Sequence, residues 1–298
     1  MAPESRPLAS IISDELSAPV PPEATHMART LCEDWGAGVS AILFYGSCLR
    51  TSDLDNKILD FYVLVDTYAA FHKSRIKRWL NAAFPPNVYY RQTRLGDMDV
   101  RAKVAVLALS QFEAAARGQT VLPAIWARFS QPCRLLHARD ATVQERVVAA
   151  VARAAETFVR ETSAVLKEGW TSEQLWTEGL ALTYRTELRT ERPGRSKEIY
   201  EADKARYDAV TVAVGKTVPT SRIRANLKWA WWRLAGKLYS VLRLIKAAFT
   251  FSGGPDYICW KIRQHSGVEI TLTPWQRRHP ILASTVLFWK LHRRGAIR

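Results

Sequence analysis

The chain has 298 residues, 48% of them hydrophobic and 24% charged, with a formal charge of +15. That length suits one large domain or two ordinary ones, and the composition excludes a disordered chain, a collagen-like fibre and a coiled coil. Four cysteines, Cys32, Cys48, Cys133 and Cys259, stand far apart with no CxxC pair; this excludes a zinc ribbon and a disulfide scaffold and fits a reducing compartment.

Residues 1–22 are Pro-rich and read as a loose segment, and 23–36 read as a helix. Residues 41–46 (AILFYG) and 58–66 (ILDFYVLVD) are dense in aliphatic and aromatic side chains and read as buried strands. A helix over 68–83 is stopped by Pro85 and Pro86. Residues 87–94 and 99–109 read as further strands, so the first 140 residues alternate strand and helix in an α/β pattern. Beyond them 141–167 is an unbroken Ala-rich helix, and 171–189 and 196–214 are helical as well. Four regions follow: the loose 1–22, an α/β domain over 23–140, a helical domain over 141–218 and a tail over 219–298. No window holds 18 consecutive apolar residues, so no transmembrane helix is expected. Acids and prolines occupy the place where a secretory signal has its apolar stretch. The expected location is cytoplasmic.

Charge is concentrated in the tail. Residues 219–298 hold 15 of the 43 Lys and Arg side chains but only Asp256 and Glu269 among the acids, a net +13. Six of the eleven tryptophans lie there too. Such a tail calls for an anionic partner, a membrane surface or a nucleic acid. Tryptophan favours the membrane, because indole settles at the headgroup boundary. Over 223–251, Ile223, Leu227, Ala230, Leu234, Leu238, Val241, Ile245, Ala248 and Phe249 fall in one helical arc about 100° wide. Arg224, Lys228, Arg233, Arg243 and Lys246 lie off it, and Trp229 and Trp232 fall on the polar side. This predicts an interfacial helix; the alternative is a core helix with its basic side in solvent. No zinc-finger, RNP or KH motif supports nucleic-acid binding.

The chemistry-bearing motif is Tyr45-Gly46-Ser47 at a strand end, followed by Asp53, Asp55, Asp60 and Asp66. Glycine lets a backbone approach phosphates closely, and serine adds a donor. A carboxylate on the next strand can hold Mg²⁺ against phosphate oxygens. Asp60 and Asp66 are about 20 Å apart along a strand and cannot share one ion, so Asp60 pairs better with Asp53 or Asp55. The alternative is a turn with surface acids.

Several segments, in order over roughly 40–235, resemble the mitochondrial-type phosphatidate cytidylyltransferases of the nucleotidyltransferase superfamily. They are Tyr45-Gly46-Ser47, Leu59-Asp60-Phe61, Val65-Asp66, His72, Val88-Tyr89-Tyr90, Lys103, Ser172-Glu173-Gln174-Leu175, Glu178 and Leu182-Thr183-Tyr184 running on to Glu187-Leu188-Arg189. The resemblance implies an α+β fold, with a nucleotidyltransferase-type mixed sheet, a mainly helical second domain and the basic amphipathic C-terminal helix. It implies transfer of CMP from CTP to phosphatidic acid at an anionic phospholipid membrane surface, peripheral to its inner face. Asp60 and Lys103 would be catalytic, with Asp60 and Asp55 or Asp53 on Mg²⁺. Tyr45, Gly46, Ser47, Glu187 and Arg189 would bind the nucleotide. Two departures stand out: Ile58 and Tyr62 flank Asp60 where the superfamily has Asp-x-Asp, and Glu187 replaces an aspartate. A different acceptor (a sugar, an antibiotic or an RNA end), a catalytically silent scaffold and a nucleic-acid-binding protein using the tail remain alternatives.

Overall fold

The aliphatic and aromatic runs pair as strands because alternate side chains can be covered from both sides. In the computed structural model, residues 6–51, 57–187, 192, 194–215, 221–250, 273 and 275 are described. The strands are β1 (Val39–Tyr45), β2 (Ile58–Val65), β3 (Asn87–Leu95), β4 (Met98–Ala108) and β5 (Cys133–Ala138). They form one mixed sheet in the order β3-β4-β2-β1-β5, with β2 and β4 parallel and the other neighbours antiparallel. The class is α+β, with helices dominating the second half, as expected. β5 has no counterpart among the expected strands. Its sequence, CRLLHA, has only two aliphatic residues and alternates too briefly to stand out.

Each face of the sheet carries its own core. On one, Ile42, Phe44, Phe61, Val63 and Val106 meet Met27 and Leu31 of α2 (Pro22–Trp35). On the other, Leu43, Tyr62, Leu64 and Leu107 join a larger core built on α6 (Leu109–Ala116), α7 (Ala124–Phe129) and α8 (Ala141–Ser163). Phe158 of α8 stacks on Trp176 of α9 (Ser172–Tyr184) at 4.4 Å between centroids. This core is continuous across residue 140.

Some expected boundaries move. The segment expected to be loose folds as α1 (Leu8–Ser17), because Leu8, Ile12 and Leu16 recur every fourth residue and enter the larger core. The expected helix over 68–83 divides into α4 (Tyr68–Phe71) and α5 (Arg75–Ala83), with Ser74 capping the second by accepting from Lys77 N–H. The expected helix over 196–214 divides into α10 (Arg195–Ala202) and α11 (Lys204–Val214). A short helix, α3 (Ser47–Thr51), follows β1.

The basic segment is a helix as expected, α12 (Arg222–Thr250). It docks through Ala225, Trp229 and Trp232, all buried. Trp229 and Trp232 pack on Trp126 of α7 at 6.0 and 5.7 Å, and the Trp229 indole donates to the Glu161 carbonyl at 3.1 Å. The opposite arc faces outward: Ile223, Leu227, Leu234 and Leu238 are 62–73% exposed. Among the described residues, no helix is long and apolar enough to cross a membrane.

Candidate functional site

The sheet register brings the expected residues together. Tyr45 is paired with Asp60, and Asp60 with Lys103. Adjacent strands lie about 4.8 Å apart and paired residues share a face, so the three side chains form one row on the side of the larger core. Asp60 is half-buried and Lys103 exposed. β4 is an interior strand, so Lys103 does not stand at a sheet edge. At the end of β1, Gly46 has φ +97°, and a Cβ there would sit 2.8 Å from Asp60 Oδ2. Only glycine allows the corner to lie this close against the carboxylate. Ser47 opens α3, and the Cys48 thiol ties that helix back by donating to the Ile58 carbonyl at 3.4 Å.

Two arginines act on this row, and a third acts on one of them. Arg128 of α7 donates through Nη1 to the Tyr62 hydroxyl at 3.0 Å. Its guanidinium lies 5.4 and 5.8 Å from the ring centres of Tyr45 and Tyr62. Tyr62 is two residues beyond Asp60 on the same face. Burial opposes the Arg128 charge, but Tyr62, Tyr45, Glu187 and Asp60 outweigh it and hold the guanidinium firmly protonated. Arg50 lies one turn into α3. Burial and the neighbouring Arg195, the first residue of α10, lower its proton affinity, while Tyr207, Tyr184 and Asp60 act against them. Positive charge thus gathers from three elements, β4, α7 and α3, around one strand carboxylate, an arrangement that suits a polyanionic ligand.

Glu187 follows α9 in a bend and is half-buried; its influence on Arg128 puts it on the same side of the sheet. Asp53, Asp55 and Arg189 lie outside the described residues. Tyr184 packs against the larger core, as a core residue would, while also acting on Arg50.

Two other motif residues serve structure elsewhere. Asp66, at the far end of β2, accepts from Arg139 and from the Ser40 hydroxyl at 2.7 Å. These hydrogen bonds, that of Arg139 first, hold its carboxyl below the usual range. His72 is buried rather than on a helix surface, within hydrogen-bond reach of Asn81 Oδ1 at 3.0 Å and Asn87 Nδ2 at 3.4 Å. Burial disfavours its protonation.

Arg50, Arg128 and Arg195 were not expected from the motif. Arg50 could be found by following Gly46-Ser47 one helical turn on. Arg128 could be found as the lone charge in the run Ala124–Phe129. Nothing local marks Arg195, which only the packing of α10 brings near. Among the described residues, no group of three His, Cys, Asp or Glu is placed to hold a metal ion. Asp60 offers a single carboxylate. Mg²⁺ takes one or two carboxylates and completes its shell with water and substrate phosphates, so this donor fits a metal that arrives with a nucleotide.

No family model and no curated protein matches the chain. Among solved structures, a nucleotidyltransferase-like protein from Exiguobacterium sibiricum 255-15 aligns over 92% of this chain and 93% of its own. The sequence identity is 12% and the TM-score 0.27. Similarity this low assigns neither chemistry nor site residues.

Proposed function

We propose that the chain is a nucleotidyltransferase that moves CMP from CTP to phosphatidic acid, giving CDP-diacylglycerol and pyrophosphate. The observation that carries the reading is the Gly46 corner closed against Asp60, with Lys103 in register beside it and Arg50 and Arg128 around it. In this reaction a phosphate oxygen of the acceptor forms a bond to the α-phosphorus of CTP. The bond to the β-phosphate bridge breaks, and its electron pair leaves with pyrophosphate. The nucleophile is already an anion, so the site needs no strong general base. What it needs is to bring two polyanions together and to offset the charge that builds on the leaving group.

Each side chain has a role in that scheme. Gly46 and Ser47 border the triphosphate, with Tyr45 beneath. Lys103, Arg50 and Arg128 offset its charge. Asp60, with Asp53 or Asp55, would hold Mg²⁺, which would offset the charge of the phosphates. Glu187 and Arg189 would help to bind the nucleotide.

The lipid acceptor is supported by α12. Its outward apolar arc is flanked by exposed Arg224, Arg233 and Lys237, the pattern of a helix lying in an anionic bilayer surface. The enzyme would act at the inner face of a cytoplasmic membrane, bound peripherally. The test is pyrophosphate release with each of the four NTPs, with Mg²⁺, and with or without phosphatidic acid in mixed micelles. Release that needs both CTP and phosphatidic acid supports the full reading. Release with a different acceptor keeps nucleotidyl transfer and removes the lipid. No release from folded protein with any NTP and acceptor removes the enzyme.

A further inference from the structure

A second outward apolar surface lies on α5, which the sequence does not single out. Ile76 is 71% and Trp79 64% exposed. Counting along the helix, Ile76, Trp79, Leu80 and Ala83 fall on one side, at spacings of three, four and seven. Exposed Arg75 and Lys77 stand on the two flanks of that side, and exposed Lys73 just precedes the helix. The stretch from Lys73 to Ala83 holds no acid.

The helix is fixed in this orientation from below. Asn81 is buried and donates through Nδ2 to the Val106 carbonyl at 3.3 Å, and Arg78 Nε donates to the His72 carbonyl at 2.6 Å. An indole held in water by a rigid support forgoes the gain of burying such a large apolar ring. Met98, Val121 and Val212 are exposed as well, each without another large exposed apolar residue near it in sequence.

α5 also leads directly to α12. The Ala83 carbonyl accepts from the Tyr239 hydroxyl at 3.0 Å, the Phe84 and Tyr239 rings lie 5.6 Å apart, and the Pro86 carbonyl accepts from Lys246 at 2.9 Å. Two helices of the same design, apolar outward and basic at the margins, are therefore joined through one short loop.

We propose that α5 is a second bilayer-contact element, inserting Ile76 and Trp79 at the headgroup boundary of an anionic lipid surface while Lys73, Arg75 and Lys77 meet the headgroups. The inference rests on the lipid-surface reading of the function and assigns it a second anchor. Indole and isoleucine side by side favour a bilayer over a nucleic acid, because an aliphatic chain gains nothing from a phosphate backbone.

The experiment is co-sedimentation of the full chain with phosphatidylcholine vesicles, with and without phosphatidylserine. Ile76→Ser/Trp79→Ser is compared with wild type and with Met98→Ser, an exposed apolar site elsewhere. The double substitution should lower partitioning onto anionic vesicles about tenfold or more, and Met98→Ser should not. Trp79→Phe, which keeps the ring and the fold, should bind like wild type but lose part of the blue shift of tryptophan emission on binding. Unchanged partitioning of the double variant, or an unchanged blue shift in Trp79→Phe, overturns the role of α5 and leaves the lipid reading standing. Failure of wild type to bind any anionic vesicle overturns both. Binding to single-stranded RNA without binding to vesicles, weakened by the same substitutions, reassigns the surface to nucleic acid.

Discussion

Asp60 has the Gly46 corner against one side and cations on the others. Asp60→Asn keeps the shape of the side chain and removes its charge. Turnover should fall roughly 100- to 1000-fold, while nucleotide binding without metal holds or tightens, because less negative charge faces the phosphates. Steady-state kinetics beside nucleotide titration separate the two effects, and wild-type turnover would remove Asp60 from the site. Arg128 tests a different property. Its planar fork is set by Tyr62 and by two aromatic rings, and lysine carries the charge without the fork. Arg128→Lys should therefore raise the nucleotide KM about tenfold or more with little change in thermal unfolding. Equal kinetics would make the arginine a packing residue. Asp60 and Lys103 were readable from sequence, since both sit on apolar strand runs where a charge is out of place. Their adjacency was not, because it depends on β4 skipping past β3 to pair in parallel with β2.

The two faces of α12 were unequally legible at the scale of the element. Its apolar periodicity marked the outward arc correctly. The docked face escaped notice because tryptophan and small residues among basic ones look polar on a helical projection. Trp229, Trp232 and Gly236 form that face. A Cβ on Gly236 would lie 2.1 Å from the Thr186 carbonyl oxygen, a backbone atom that cannot simply turn away. Gly236→Ala must push α12 from the α9 end, at a cost of about 1–3 kcal/mol. The displacement acts one residue before Glu187, so activity should fall along with stability. A thermal melt and a turnover assay on the same sample check this; wild-type values in both would mean that the contact relaxes freely. α1 was missed for another reason. Its three core residues are spread through prolines, serines and acids, and only partners far along the chain make them a core face.

At the scale of the whole molecule, the first helix is locked to the last third of the described chain. Glu15 of α1 pairs with Arg206 of α11 at 2.7 Å, with both side chains under a tenth exposed. Glu15 also accepts from the Cys133 backbone N–H at 3.2 Å, and Arg206 donates to the Ser130 carbonyl. A charge left alone in such a place is costly, so Glu15→Ala should lower stability by about 3–5 kcal/mol in denaturant titration. A loss below 1 kcal/mol, the range of an exposed pair, would show that water reaches the arginine. The pair is separated by 191 residues, which sets a schedule for synthesis. At about 5–20 residues per second, Glu15 is translated on the order of ten to forty seconds before Arg206. Until β5 and α8 have followed, Leu8, Ile12 and Leu16 lack most of the core they enter. The newly made α1 is therefore a natural client for holding chaperones, and the larger core can close only once α11 and α12 have been made.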